Sequence, residues 1–386
     1  MNVCAKNAIR MEETGACGYI YPTIDQDKCI DCGLCVKTCP VNSPVALNTP
    51  LKAFAAISKD KDDLMSSSSG AASSVIANHI LSNGGVVYGC VQENYCDIAH
   101  RRIDSQADAY RIKGSKYVQS NIGLIYREVK KDISEGRKVL FTGTPCQIAG
   151  LRNYLRKDYD NLYLIDLVCH GVPSQKLLRE DVVRIISKNN IEAPNIKVTF
   201  RKKINNNVEF GLFPEYNNKT QQAYKYTTFL ENNYITAFMS GITFRENCFS
   251  CPYAQPDRTS DITIADFWGL KKCCIPQDNG VSLMLATTKK GLSLINEIGS
   301  AVNIEERPIQ EAIMGNGQLI SASKIPEKRS DFINKYAINH EEAYRIHLKK
   351  YKKTYLANKR KRQIKQLIYK NKTLSNILYK IYRIFK

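Results

Sequence analysis

No stretch of this 386-residue chain approaches the ~20 consecutive apolar residues that a bilayer-spanning helix needs. The opening segment, MNVCAKNAIRMEE, also lacks the apolar core of a secretory signal. Together these absences set the expectation of a cytoplasmic protein. No G-x-G-x-x-G turn follows the first strand of the main domain, so a standard NAD-type dinucleotide site has no support. Acidic residues are missing altogether from 343–386, where fifteen Lys or Arg stand. The formal charge of +19 is therefore mostly a tail, with only +4 left for everything before it. The apolar fraction, 43%, is ordinary; it excludes wholesale disorder and leaves room for two or three domains.

Cysteine is what the chain has in excess, with fourteen. In a reducing compartment clustered cysteines point to metal or redox chemistry rather than to disulfides. Residues 29–40 read CIDCGLCVKTCP, and Cys29-x2-Cys32-x2-Cys35-x3-Cys39-Pro40 is the bacterial ferredoxin spacing for a [4Fe–4S] cluster. Two-residue gaps let one tight turn present three thiolates to one cube, and Gly33 suits a backbone that wraps closely. A zinc knuckle is the competing reading, but zinc favours paired C-x-x-C or Cys/His sets. In two-cluster ferredoxins the last cysteine of each run serves the other run's cluster. VCAKNAIRM (3–11) resembles the end of such a first run, so Cys4 joins Cys29, Cys32 and Cys35 on one cluster. Cys39 is then either an orphan or the ligand of a sister cluster whose other cysteines would precede Met1. Cys90 and Cys96 are read as small hydrophobes, and the adjacent Cys273 and Cys274 as packing residues.

The expected organisation is a multidomain α+β and α/β chain. Residues 1–50 form a small ferredoxin-like module, and 51–65 look like a connector. From there to about 190, apolar strands alternate with helical stretches: GGVVYGCV (84–91), the amphipathic 121–136, RKVLFTG (137–143), a helix opened by Pro145, and NLYLIDLVCHG (161–171). Such alternation argues for a largely parallel sheet. A β-rich insertion with Asn-rich turns follows at 195–240, then strands at 260–269 and 281–288. The main domain is set at 51–300, and 301–386 is a helical region ending in the basic tail.

Three segments, GSKYVQS (114–120), GTPCQIAGL (143–151) and DLVCHGVPS (166–174), occur in order with SSSSGAASSVIANHIL, CFSCPYA (248–254) and SDITIADFWG. With them the chain resembles the coenzyme F-420 hydrogenase/dehydrogenase beta-subunit family over about residues 1–300, most closely the bacterial branch found among surface-polysaccharide genes. The resemblance implies ferredoxin-type clusters, a flavin (FAD) and a further [4Fe–4S] cluster; it does not fix the electron donor, for which a low-potential donor such as ferredoxin is expected. Cys248 and Cys251 are half a metal site, and Cys146 with Cys169 makes four thiolates for that second cluster. Thr144, Pro145 and Cys146 stand where a strand ends and a helix begins, a place where free amides hold an anion or thiolate; Cys146 can also be a flavin-side thiol or a core cysteine. For the flavin, the Ser66–Gly70 loop, with Ser68, Ser69 and Gly70, opens a helix and offers hydroxyls and amides to phosphate, or is a plain Ser-rich cap. Lys113, Lys116 and Tyr117 match the family's flavin-proximal stretch. His170, beside Cys169 at a strand end, could protonate a substrate or be a structural histidine.

The expected function is an iron–sulfur flavoprotein oxidoreductase reducing a polysaccharide-pathway intermediate, in the company of enzymes of that pathway. The alternatives are a non-catalytic electron-transfer subunit and a structural cluster scaffold. In 359–386 apolar residues recur at mostly helical spacing with Lys and Arg between them, a pattern suited to an anionic membrane face on the cytoplasmic side. Nucleic acid is not expected, since no recognised nucleic-acid fold accompanies the tail.

Overall fold

The computed structural model describes residues 1–188, 196–204, 207–216, 230 and 232–370. Residues 1–326 form one compact unit and 327–386 another.

The first unit opens with a hairpin, β1 (Ile9–Thr14) against β2 (Tyr19–Ile24), followed by the cysteine loop and the short α1 (Leu34–Thr38). Asp31 and Gly33 take positive φ, 49° and 67°, and curl the loop that carries Cys29, Cys32 and Cys35. The chain then enters a sheet through β3 (Lys52–Ser58), turns in α2 (Lys61–Ser66) and packs α3 (Ala72–Ser82) on it. β4 (Val86–Gln92), β5 (Ile98–Ile103), α4 (Ile125–Ser134), β6 (Val139–Gly143), α5 (Pro145–Leu155), β7 (Leu162–Leu167) and α6 (Gln175–Lys188) follow. A separate hairpin, β8 (Ile196–Ile204) with β9 (Asn207–Tyr216), precedes α7 (Asn233–Ser240). β10 (Ile262–Asp266), β11 (Ser282–Ala286), α8 (Lys289–Glu297), β12 (Val302–Arg307) and α9 (Ile309–Gly315) complete the unit.

Eight strands make one mixed sheet in the order β12-β3-β11-β10-β7-β6-β4-β5. Its centre, β10-β7-β6-β4, is parallel, and the outer strands run antiparallel. Alternating residues of one strand feed opposite faces. Val87 and Val91 pack with α3 and α8, while Val86 and Tyr88 pack with α4 and α5. The parallel centre matches the alternating pattern of the sequence. Three strands depart from the expectation. Residues 52–58, read as connector, are a buried strand, because its Ala-rich run (KAFAAIS) carries little β-propensity. β5 (IAHRRI) hides behind its charges. β12 carries the sheet beyond residue 300. The Asn-rich turns at 205–206 and 217–218 and most of AYKYTTFLENN (223–233) lie outside the described residues.

The second unit pairs α10 (Arg329–Ile338) with α11 (His340–Lys370) through Phe332, Tyr336 and Tyr344, whose rings lie 5.5–5.6 Å apart. The amphipathic tail expected over 359–386 lies outside the described side chains from residue 362 onward. No helix among the described residues is long and apolar enough to cross a membrane.

One buried guanidinium ties the centre of the first unit together. Arg258 donates through Nη2 to Asp166 Oδ1 (3.1 Å) and the Leu167 carbonyl (3.2 Å), through Nη1 to the Tyr253 and Gln255 carbonyls, and through Nε to Thr263 Oγ1. Thr259 Oγ1 adds a 2.9 Å bond to Asp166. Arg258 is 2% exposed and Asp166 is fully buried. Replacing Arg258 by Met leaves that carboxylate without its cation, so a loss of about 3–5 kcal/mol is expected in denaturant unfolding; a variant as stable as the wild type contradicts this account.

Candidate functional site

Three parallel strands end side by side: β6 at Gly143, β7 at Leu167 and β10 at Asp266. Ligands of open α/β sheets gather at such carboxyl ends. Each strand delivers a chemically marked segment there, Thr144–Cys146, Val168–His170 and Asp266–Trp268. Two cavities open at this edge.

The larger, about 420 Å³, is lined by Cys35, Cys39, Cys146, Cys169, Cys248 and Cys251, roofed by apolar residues of the N-terminal module such as Met11 and Ile20. The structure therefore brings together the four thiols expected for a second cluster. Burial pushes the Cys169 thiol well above its ordinary pKa, with Cys248, Cys146 and Cys251 as negative neighbours. The Cys248 thiol is pushed up to about 11, again chiefly by burial. Cys39 faces the same cavity as a further thiol. Among the described residues no three Cys, His, Asp or Glu side chains converge as a single metal ion requires. Four thiols around one cavity fit a cube that takes its ligands at four separate iron corners.

On the module side, Cys4 sits in a small nest of amides. The N–H groups of Ala8 (3.3 Å to Sγ), then Lys6 and Asn7, hold its pKa below the ordinary thiol value. Burial lowers the pKa of the Met1 amine, and Cys4 and Cys35 both lie within electrostatic reach of it. Donors of the α/β body hold the module by its carbonyls: Arg127 on Asn2 and Cys4, Arg152 on Ala46, Asn153 on Ser43 and Tyr253 on Pro40 (2.6 Å).

The second cavity, about 300 Å³, is lined by Ser67–Ser69, Lys113, Lys116, Tyr117, Thr144, His170, Arg201 and Trp268, among others. That is the lower end of the range for cofactor sites. Ala71, at the start of α3, takes φ 68°, a strained conformation for a residue with a Cβ; it offers no side-chain cap, and the first helical amide, of Ala72, donates to Ser282 Oγ (3.3 Å). Ser67 Oγ is buried without a hydrogen-bond partner among the described residues. The unpartnered Ser67 hydroxyl, the first turn of α3 and the Lys116 charge fit a phosphate. Gly70 does not line the cavity; it shapes the loop, because a Cβ there would stand 2.2 Å from the Ala56 carbonyl. Lys116 Nζ spends its donors on the carbonyls of Lys113 (2.7 Å), Cys90 (3.0 Å) and Arg111 (3.4 Å), and desolvation lowers its pKa. Its charge faces the cavity, but its hydrogen bonds belong to the fold. Tyr117 stacks on Phe238 with ring centroids 4.7 Å apart. His170 lines both cavities, and desolvation by the surrounding protein lowers its pKa.

Several residues here carry little or no signal in the sequence. Arg201 of β8 forms a two-pronged pair with Asp266 (2.8 and 3.1 Å), fastening the β8–β9 hairpin beside the cavity. Asp266 ends a strand in the expected binding edge and is findable on that ground; Arg201 has no local signal. Lys203 adds bonds to the Leu64 (2.5 Å) and Ser69 (2.7 Å) carbonyls. His100, buried, has nothing to mark it beyond being one of five histidines.

The expected resemblance is found. Residues 136–312 match the family described as the C terminus of the beta subunit in coenzyme F420 hydrogenase/dehydrogenase, and residues 22–45 match the 4Fe-4S binding domain. A chain of the xenon-derivatised F420-reducing [NiFe] hydrogenase complex of Methanosarcina barkeri is similar at 15% identity, covering 78% of this chain and 91% of that one, with a TM-score of 0.45. No curated protein matches. The two family matches together identify an iron–sulfur electron-transfer protein.

Two tests follow from the loop and its clamp. Gly70→Ala forces a Cβ against backbone and is expected to cost about 1–3 kcal/mol in thermal or denaturant unfolding, and to weaken whatever anion the loop holds. Lys203 has its pKa lowered from 10.5 to about 8 by burial and then by Arg201. Between those values the unfolded chain holds a proton that the folded one has released, so stability rises with pH across that window and falls as pH drops toward 8. Denaturant titrations at about pH 7.5 and about pH 10 are expected to show this increment in the wild type and not in Lys203→Met.

Proposed function

We propose that this chain, an iron–sulfur protein similar over residues 136–312 to the beta subunits of coenzyme F420 hydrogenase and dehydrogenase, is a flavin-dependent oxidoreductase with two clusters. The observation that carries the reading is a shared wall. Thr144, Gln147 and Cys169–Val172 line both the cysteine cavity and the serine- and lysine-lined cavity. Anything held in one is therefore separated from the other by little more than a strand end.

In this reading Cys4, Cys29, Cys32 and Cys35 hold the ferredoxin-type cluster, and Cys146, Cys169, Cys248 and Cys251 the second. Ser67–Ser69 and the start of α3 hold the phosphate of FAD. Bound there, iron–sulfur clusters carry single electrons and a flavin exchanges them for two-electron transfers. The chain's own residues supply the rest. The Lys116 cation favours negative charge in the flavin cavity, while Arg201 is paired with Asp266 and fastens the β8–β9 hairpin beside it. His170 is placed at the shared wall to give or take a proton. Trp268, 47% exposed at the rim, offers a flat apolar face to a substrate, for which a sugar- or polysaccharide-pathway intermediate is the proposed class. A low-potential donor such as ferredoxin would meet the module, where Cys32 is exposed. The second reading is an electron-transfer subunit serving a partner enzyme, favoured by the beta-subunit description of the matched family.

Anaerobic purification with reconstitution is the test. About eight irons, at about four per cluster, with one flavin per chain that a low-potential reductant bleaches, is the expected outcome. Reoxidation by nucleotide sugars supports the enzyme reading, and reoxidation only beside a partner supports the subunit reading. A flavin-free preparation overturns both.

A further inference from the structure

Thr144 lines both cavities, and its hydroxyl has a definite target: Oγ1 lies 3.2 Å from Cys146 Sγ. A cysteine sulfur bound to iron has no proton to give, so in the loaded protein this contact can only run from the threonine O–H to the sulfur.

The threonine is held in place by a chain of hydrogen bonds whose directions are all forced. His100 is fully enclosed, and burial lowers its pKa to about 4, so the ring is neutral. Its Nε2 faces the Thr142 carbonyl at 3.0 Å and must carry the ring's one proton. Nδ1 is then an acceptor, so the Ser120 hydroxyl, 3.0 Å away, donates to it. The Ser120 oxygen is left to accept, and Gln147 Nε2 donates to it at 2.9 Å. That sets the amide orientation and turns Gln147 Oε1 toward the Thr144 N–H, which it accepts at 2.9 Å. The backbone of Thr144 is thereby pinned at φ −70°, ψ 158°, ahead of Pro145 at the start of α5.

Hydrogen bonds to cluster sulfurs are one of the levers that set reduction potential. A cluster carries one more negative charge when reduced, so a donor at a ligating sulfur stabilises the reduced form more than the oxidised one. We propose that Thr144 is a positioning residue that raises the reduction potential of the second cluster through its hydroxyl on Cys146, held to that task by the His100–Ser120–Gln147 chain. The inference rests on the two-cluster reading above. The hydroxyl makes the second cluster easier to reduce than it would be without it, which favours the flow of electrons from the module toward the flavin cavity.

The test is a redox titration of the anaerobically reconstituted full chain, followed by electron paramagnetic resonance of each reduced cluster. Thr144→Val is expected to keep about four irons per cluster and to shift the reduced-to-oxidised ratio of the second cluster about tenfold toward oxidised at a fixed potential, which is about 59 mV for one electron. The first cluster serves as the unmoved internal reference, and Thr144→Ser is expected to restore the wild-type midpoint. Thr144→Ala removes the hydroxyl without adding a branched side chain, and is expected to show the same shift where valine displaces the loop. An unchanged midpoint in Thr144→Ala, or equal shifts in the serine and alanine variants, overturns the proposal. A wild type with only about four irons instead overturns the two-cluster reading itself, before any variant is compared.

Discussion

The Arg258–Asp166 pair is the constraint on which the cysteine site depends. Asp166 sits in β7, three residues before Cys169, while Arg258 lies seven residues beyond Cys251. By donating to the Tyr253 and Gln255 carbonyls as well, Arg258 presses the C-x-x-C loop against the end of β7. Thr259 Oγ1, bonded to Asp166, also reaches the Pro145 carbonyl at 3.4 Å, next to Cys146. Three chain segments far apart in sequence thus meet around one ion pair. Burying two charges is costly and is offset only when every remaining donor and acceptor is satisfied. Here five hydrogen bonds from one guanidinium meet that condition, and their directions fix where the thiols stand.

The module is placed by the same loop. Tyr253, two residues after Cys251 and 2% exposed, donates to the Pro40 carbonyl at the end of the ferredoxin-type run. Cys39 is thereby brought to the cavity that holds the four thiols of the body. The covalent path from Cys35 to Pro40, then the hydrogen bond to Tyr253, links the two cysteine groups without passing through solvent. Donors of the body recur along the module's backbone and help to hold the two in one compact unit.

How much of this is readable from the residues alone depends on whether a signal is local. The ferredoxin spacing is local, and so are the strand–helix alternation from 84 to 171 and the strands at 262–266 and 282–286. The four thiols at 146, 169, 248 and 251 become legible because strand ends converge in a parallel sheet, a rule of topology rather than of spacing. β3 is not legible: a buried run of alanines has neither the alternation nor the branched residues that mark a strand. The same holds for Arg201. It lies on a hairpin outside the sheet, and its pairing with Asp266 bridges 65 positions that no motif connects. Gly70 belongs to the expected loop but has a different task, packing against Ala56 rather than meeting a ligand.

The serine- and lysine-lined cavity and its flank carry an electrostatic imbalance that bears on their use. Lys116 meets only backbone carbonyls, and Lys203 likewise, so neither charge is neutralised by its hydrogen-bond acceptors. Asp266 is already engaged by Arg201, and Asp63 by Lys113 at 2.5 Å and by the Ser74 hydroxyl at 2.6 Å. Partly desolvated cations without a carboxylate lower the stability of the empty fold, as the depressed lysine pKa values record. An anionic ligand reverses that penalty, and it does so only in the folded chain, so binding and stability are linked. A site built this way selects for negative charge before it selects for shape. It is more suited to a phosphate-bearing cofactor whose reduced ring is also anionic than to a neutral ligand of the same size.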